Sequence, residues 1–179
     1  IGIDLGIKEL LTLSDGTTID NIHTQEKYEK RIKRKQRELR RKTKGSKNYY
    51  KCKKELAILY CKLANSRKYY THKITKNITD NYDIIATETL SIKQMIMNKQ
   101  NNLSKSISDA AFQEITRQLE YKSKEKGKYF YKINAYYPSS QICSVCNNQD
   151  NKYKDLGERT YNCKWCKNEL DRDFNASVN

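Results

Sequence analysis

The first seven residues alternate, with Ile1, Ile3, Leu5 and Ile7 on one face and Gly2, Asp4 and Gly6 on the other, which predicts a half-buried strand. A second apolar run from Leu10 to Leu13 leads into the turn Ser14-Asp15-Gly16, and a third short strand is predicted at about Thr17 to Ile22. From about Gln25 to Asn81 the period becomes helical. Gly45-Ser46 interrupts it, so two long helices joined by a short turn are expected. On the second helix Leu56, Leu59, Leu63, Tyr70, Ile74 and Ile78 fall near one face and predict a packing stripe. Residues 83–87 (DIIAT) are short, apolar and β-branched, the pattern of a buried parallel strand, and they end at Glu88. Met95 to Lys105 is polar and Asn-rich and reads as a mobile loop. Ile107 to Lys126 predicts a helix started by Ser106 or Ser108 and stopped by Gly127. Residues 128–136 read as a final strand, Pro138 leads into a cysteine-rich region, and Asn175 to Asn179 stop inside what reads as a helix.

The order strand, strand, strand, helices, strand, helix, strand, insert, helix predicts a mixed α/β sheet. An RNase H-like fold has this order, as do several others. A length of 179 residues suits one domain, or one domain with a small insert. Both ends read as cut.

Charge narrows the partner. Lys and Arg number 36 against 21 Asp and Glu, a formal +15, which argues for a polyanion, nucleic acid first. No apolar run approaches the roughly 20 residues of a membrane span, no basic amphipathic helix carries a lipid-facing stripe, and no signal peptide opens the chain. An intracellular protein without a membrane partner is expected, so the six cysteines read as metal ligands or free thiols. Residues 26–54 alone hold fifteen Lys or Arg and three Glu, with Tyr28, Tyr49 and Tyr50 interleaved. A solvated helix face would mix its signs; this run does not, and reads as a phosphate-contacting surface.

Cys143-x2-Cys146 and Cys163-x2-Cys166 are separated by sixteen residues. Two such knuckles place four thiolates around one tetrahedral ion, and Zn²⁺ suits four soft ligands in a closed, structural site. The intervening segment is too polar to form a core without metal, and Trp165 is expected to pack against the knuckle. Coincidence or a disulfide pair is the plain alternative. Cys52 and Cys61 lack a knuckle partner and read as half-buried thiols.

Three acidic positions carry candidate chemistry. Asp4 interrupts an apolar strand, which is costly for a carboxylate unless a cation meets it, and Gly2 and Gly6 beside it are expected to leave room for a metal and a nucleic-acid backbone. Glu88 closes an apolar strand at its carboxyl end, where α/β sheets present functional groups. Asp171 and Asp173 sit at a helix start, where capping and dipole complementarity explain one of them. Each alone is weak. Together they suit phosphodiester cleavage, which needs divalent ions held by hard oxygen ligands from several elements.

In sequence order, IGIDLGIKELLTLSDG, DIIATETLSIKQM, ISDAAFQEITRQLEYKSKEKG, PSSQICSVC and DRDFNAS resemble the successive motifs of TnpB (OrfB), the transposon-associated RNA-guided nucleases related to miniature type V CRISPR effectors. The resemblance covers essentially the whole chain. It implies an RNase H-like (RuvC) mixed sheet over 1–138 with a long basic helical hairpin at about 25–80, an inserted zinc ribbon at 139–169, and a final RuvC segment at 170–179. It implies Asp4, Glu88 and Asp173 as catalytic acids holding Mg²⁺ or Mn²⁺, Cys143, Cys146, Cys163 and Cys166 as structural Zn²⁺ ligands, and Asn175 as a supporting polar residue. One departure is Thr89, where the family usually has Asp. The family also carries an upstream wedge and recognition region, after which this chain begins.

The expected function is a metal-dependent, RNA-guided DNA endonuclease in a prokaryotic cytoplasm, acting at the nucleoid. Its expected partners are a DNA target and a guide RNA, with a homodimer as a further option. The rivals are a nuclease-inactive RNA-guided repressor, which should lack one of the acids, a non-enzymatic zinc-ribbon nucleic-acid binder, which leaves Asp4 and Glu88 without a reason, and a cut-and-paste transposase of the same fold.

Overall fold

The structure, a computed structural model, describes residues 1–91, 97, 104–154 and 157–179. The segment read as a mobile loop, Met95 to Lys105, lies largely outside them. Two compact units are present, Ile1–Asn21 with Thr75–Asn179, and Ile22–Ile74.

The first unit is built on a five-stranded sheet. The opening alternation becomes β1 (Gly2–Leu5), with Ile3 and Leu5 buried. It pairs antiparallel with β2 (Glu9–Leu13), and β2 in turn with β3 (Thr18–Asp20). Gly16, with φ +87°, makes the β2–β3 turn, and Asp15 accepts from the Thr17 N–H at 2.8 Å. On the other side of β1 lies β4 (Ile84–Glu88), parallel to it, followed by β5 (Tyr129–Ile133), parallel again. The order β3-β2-β1-β4-β5 is a mixed sheet, as the pattern of elements predicted.

The helix predicted from Ile107 to Lys126 is two. After the 17-residue α1 (Thr24–Arg40) and 35-residue α2 (Lys47–Asn81) come α3 (Ser104–Ala110) and α4 (Phe112–Glu125), separated by Ala111 at φ 54°. No local signal announces this break, because alanine is the best helix former. It permits Ile107, Ala110 and Phe112 all to be buried, so packing overrides propensity. Gly127 ends α4 as expected, at φ +65°.

The core holds Leu11, Ile78, Ile85, Phe112, Ile115 and Leu119, all essentially fully buried. Beside it runs a buried polar seam between the end of α2 and α4. There Thr75 donates to Gln118 at 2.9 Å, Lys122 to Thr75 at 2.7 Å and Lys126 to Thr79 at 2.8 Å.

Beyond β5 the chain forms a small ribbon. Two 3₁₀ turns (Ser139–Gln141 and Asn151–Lys154) precede an antiparallel pair, β6 (Thr160–Asn162) and β7 (Glu169–Asp171). β7 runs directly into the final helix, α5 (Arg172–Val178).

The second unit comprises α1 and α2 as far as Ile74. Its fully buried apolar side chains are few, Ile32, Cys52 and Leu59 among them. Cys52 is therefore more buried than its sequence suggested, and Cys61 is exposed. Two ion pairs are local, Glu29 with Lys33 at 2.7 Å and Lys35 with Glu38 at 2.8 Å, and Lys35 also reaches Glu55 on α2 at 2.6 Å. Residues 22–74 hold 19 Lys or Arg against four acids, a net +15 equal to that of the whole chain. The other unit carries 17 of each sign and is neutral.

Candidate functional site

Sheet register brings the first two acids together. Gly2 stands beside Ala86 and Ile3 beside Thr87 on the parallel β1–β4 pair, so the next step along both strands sets Asp4 beside Glu88. The Leu5 N–H donates to the Glu88 carboxylate, and the Asp4 and Glu88 side chains lie within hydrogen-bonding reach of each other. Burial, then the neighbouring Glu88 and Asp173 charges, push the Asp4 carboxyl up to about 8; Arg172 pulls the other way. Burial also raises Glu88. Such a pair is stable only when protonated or met by a cation.

The third acid arrives on α5, and a glycine sets its distance. A Cβ on Gly2 would lie 1.9 Å from the Ser177 carbonyl oxygen, so only glycine admits the helix this close to β1. From Ser177 back to Asp173 is four helical residues, a rise of about 6 Å. From Gly2 on to Asp4 is two strand residues, about 6.7 Å. The near match of these steps places Asp173 against Asp4, whose titration it raises. This corrects the expectation that Gly2 and Gly6 leave space for nucleic acid. Ser177 backbone occupies the Gly2 side, and the Gly6 Cβ position lies 2.5 Å from the Glu9 carbonyl oxygen. A cleft of about 230 Å³ opens beside Asp4 and Glu88, walled by Ile84, Ala86 and Ile133 of the sheet and by the end of α5.

Asp171 and Asp173 do different things. Asp171 is the helix cap, accepting from the Asp173 and Phe174 N–H groups at 2.9 and 3.0 Å. Asp173 lies in the first turn of the helix, partly exposed, with the Arg159 guanidinium 3.9 Å away. Asn175 is fully buried but does not face the acids. It accepts from the Ser144 N–H at 2.9 Å and donates to the Ile142 carbonyl at 2.7 Å, on the first cysteine knuckle.

The four cysteines converge. All four Sγ atoms lie within 4.8 Å of one another, with Cys143–Cys166 at 3.7 Å and Cys146–Cys163 at 3.5 Å. Tetrahedral zinc thiolate, at about 2.3 Å per bond, requires sulfurs about 3.8 Å apart. The cluster therefore fits Zn²⁺. Among the described residues no other group of three His, Cys, Asp or Glu is drawn this tightly, the acids included. The two knuckles are built alike. Cys143 and Cys163 each donate N–H to an asparagine carbonyl five residues on, Asn148 and Asn168, at 2.9 Å, and Asn147 and Lys167 turn the chain at φ 60° and 62°. Hydrogen bonds from the Asn148 backbone and side chain draw Cys146 down to about 6, whereas for Cys166 a bond from the Asn168 backbone opposes the rise but its three thiol neighbours push it up to about 12.

Two features of the ribbon escaped sequence reasoning. Tyr153 and Tyr161 are buried and stacked at 4.1 Å, forming the ribbon core together with Cys143 and Cys163. Trp165, the residue expected to pack there, is 53% exposed. The signal available was the tyrosine pair inside an otherwise polar insert. Arg172 was also passed over. It is buried, and donates to the Tyr153 and Glu158 carbonyls at 2.9 and 3.1 Å.

On the basic unit, Arg34, Arg37, Arg41 and Lys42 line one shallow groove along α1 with Glu38. Tyr50 and Tyr69 of the same unit are exposed, whereas Tyr28 and Tyr49 are partly covered. No described helix is long and apolar enough to cross a membrane.

Comparison with known proteins identifies the class. The fold resembles that of a solved Cas12f1–sgRNA–target DNA complex, with a TM-score of 0.66 and 20% identity over 99% of this chain and 48% of that one. The profile of the OrfB_IS605 family, described as "Probable transposase", matches residues 1–99, and that of the Cas12f1-like TNB domain matches residues 112–179. The chain belongs to the OrfB_IS605 family of TnpB-like proteins. It is 32% identical to a "Putative RNA-guided DNA endonuclease" of Streptomyces pristinaespiralis and 30% identical to the "Putative RNA-guided DNA endonuclease InsQ" of Escherichia coli K12. It is covered completely in both cases but spans about half the length of these relatives, 44% and 47%.

Proposed function

We propose that this chain is the nuclease portion of an RNA-guided DNA endonuclease. In this reading residues 1–138 and 170–179 form an RNase H-like, RuvC-type domain, and 139–169 are a zinc ribbon set into it. What supports it is the β1–β4 register, which sets Asp4 beside Glu88, and the close approach of Ser177 to Gly2, which brings the helix carrying Asp173 to the same strand. Three hard carboxylates are the donor set that Mg²⁺ or Mn²⁺ takes, and the thiol set is the one Zn²⁺ takes.

Bound divalent ions supply charge stabilisation for the attacking and leaving oxygens of a phosphodiester. The residues do the rest. Asp4, Glu88 and Asp173 would hold the ions through their carboxylate oxygens, Leu5 N–H fixes the Glu88 carboxylate, and the Asp171 cap fixes the helix that presents Asp173. The surface of α1 contacts the phosphates of a guide RNA or DNA target, because basic side chains bind a polyanion by releasing its counterions. Sequence choice in such systems comes from base pairing, with protein contacts to backbone.

The test uses the full-length protein with its guide. Asp4→Ala, Glu88→Ala and Asp173→Ala should each lower Mg²⁺-dependent cleavage about a hundredfold or more, with DNA binding retained. Asp171→Ala should cost about 1 kcal/mol of stability as a lost cap and leave most activity. An active Asp4→Ala enzyme, or an essential Asp171 beside a dispensable Asp173, sinks the assignment. The family description keeps one second reading, a transposase of the same fold, which cleavage without any RNA would favour.

A further inference from the structure

The helix carrying Asp173 is only seven residues long, too short to hold its own position in water. Its attachments on the ribbon side lead mainly to the cysteine cluster. Its N-terminus continues β7, which follows the second knuckle within three residues of Cys166. One turn further on, Asn175 clasps the first knuckle through both halves of its amide, accepting from Ser144 N–H between the ligands Cys143 and Cys146 and donating to the carbonyl of Ile142, the residue before Cys143. Asn179 repeats the clasp one turn later, donating to the Ile142 and Ser139 carbonyls at 2.7 and 2.8 Å. Arg172 holds the same side of the helix to the Tyr153 and Glu158 carbonyls. On the opposite side stand Asp173 and Ser177, toward β1.

We propose that Asn175 is a positioning residue through which the metal-filled cysteine cluster holds Asp173 against Asp4. The zinc ribbon then has a second task besides its own folding: it sets the geometry of the divalent-cation site. This rests on the reading of Asp4, Glu88 and Asp173 as ligands to that cation. The physical reason is that Asn175 cannot be satisfied any other way. It is fully buried, and an amide there needs both an N–H donor and a carbonyl acceptor. The knuckle supplies both only while its backbone is wrapped around the four sulfurs. When the cluster empties, the clasp loses its partners, and the ribbon no longer fixes how α5 lies against β1.

The experiment measures Mn²⁺ affinity by electron paramagnetic resonance, and zinc by elemental analysis, on the full-length protein. Wild type should bind Mn²⁺ at a site that Asp4→Asn removes. Asn175→Ala should retain one zinc per chain yet weaken Mn²⁺ binding about tenfold or more, the usual scale for groups that orient metal ligands. Cys163→Ser should lose zinc and weaken Mn²⁺ by a similar factor. The Cys163→Ser/Asn175→Ala double variant should be no weaker than Cys163→Ser alone, because both act through one link. Leu119→Ala, a truncation in the core on α4, should destabilise the fold and leave Mn²⁺ affinity unchanged. Should Asn175→Ala not fold, Asn175→Asp, which keeps the acceptor for Ser144, is read in the same way. Mn²⁺ affinity within about twofold of wild type in the Asn175 variant, while Asp173→Asn weakens it, overturns the proposal, as does full additivity in the double variant. Absence of a Mn²⁺ site sensitive to Asp4→Asn instead overturns the reading of the acids themselves.

Discussion

The two units differ in where they put charge and where they put core. Ile22–Ile74 holds the whole net charge of the chain and a handful of buried apolar side chains; the remaining residues are neutral overall and hold the acids, the thiols and nearly all of the core. Attraction to a polyanion acts over about 8–10 Å at physiological salt and tolerates imprecise placement. A hairpin with a thin core and long, flexible lysines therefore suffices for it. Metal coordination tolerates only a few tenths of an ångström, and the residues proposed for it sit on a five-stranded sheet or a pair of twin knuckles. Rigid structure appears where short-range chemistry demands it.

The comparison breaks most visibly at the cysteines. Cys163→Ser should remove zinc and leave 139–171 without protection in amide exchange, because structural zinc in such small units contributes on the order of 10 kcal/mol to folding. The hairpin helices should keep their exchange protection. Loss of protection in both units would show that the two are one cooperative body.

Next in size is the charge of the hairpin. Replacing Arg34, Arg37, Arg41 and Lys42 with glutamine should lower nucleic-acid affinity about a hundredfold at low salt, and reduce the slope of log affinity against log salt by about one for each phosphate no longer neutralised. Mn²⁺ affinity at the acids should not move. An unchanged slope would place the binding charge elsewhere.

A smaller effect is expected from one methyl group. Gly2→Ala forces a Cβ toward the Ser177 carbonyl, so α5 must retreat. A loss of about 1–3 kcal/mol in thermal or urea unfolding is expected, as for other overpacked sites. The loss should be accompanied by weaker Mn²⁺ binding, which a purely structural defect would not produce.

A pH dependence of similar size is expected. Folding raises the Asp4 pKa from 3.8 to about 8, so the folded state binds the proton more tightly than the unfolded state does. The stability this gives is complete below pH 3.8 and is lost as pH rises through about 8, at no more than about 1.4 kcal/mol per pH unit. The metal-free protein should therefore melt at a lower temperature at pH 8 than at pH 6, and Asp4→Asn should flatten the difference. Added Mg²⁺ should stabilise most at the alkaline end. An Asp4→Asn profile identical to wild type would remove Asp4 as the source.

The sequence by itself determined whatever is carried by near neighbours or by periodicity. The strands β1, β2 and β4, the break at Gly45-Ser46, the stop at Gly127 and the pairing of two knuckles were legible, because each depends on local spacing or on a repeated short motif. The alternation around Asp4 even gave its face. The tertiary structure decided the rest. That α3 and α4 break at Ala111 depends on what three buried side chains pack against. That Gly2 yields to a helix backbone, and not to a ligand, depends on the approach of residue 177 to residue 2. That Asn175 faces a knuckle instead of the acids depends on which side of a short helix meets the ribbon. In each case a residue's role was set by atoms far away in the chain. Local propensity and hydrophobic period carry no information about such meetings, because these are fixed only when the sheet, the ribbon and the last helix close on one another.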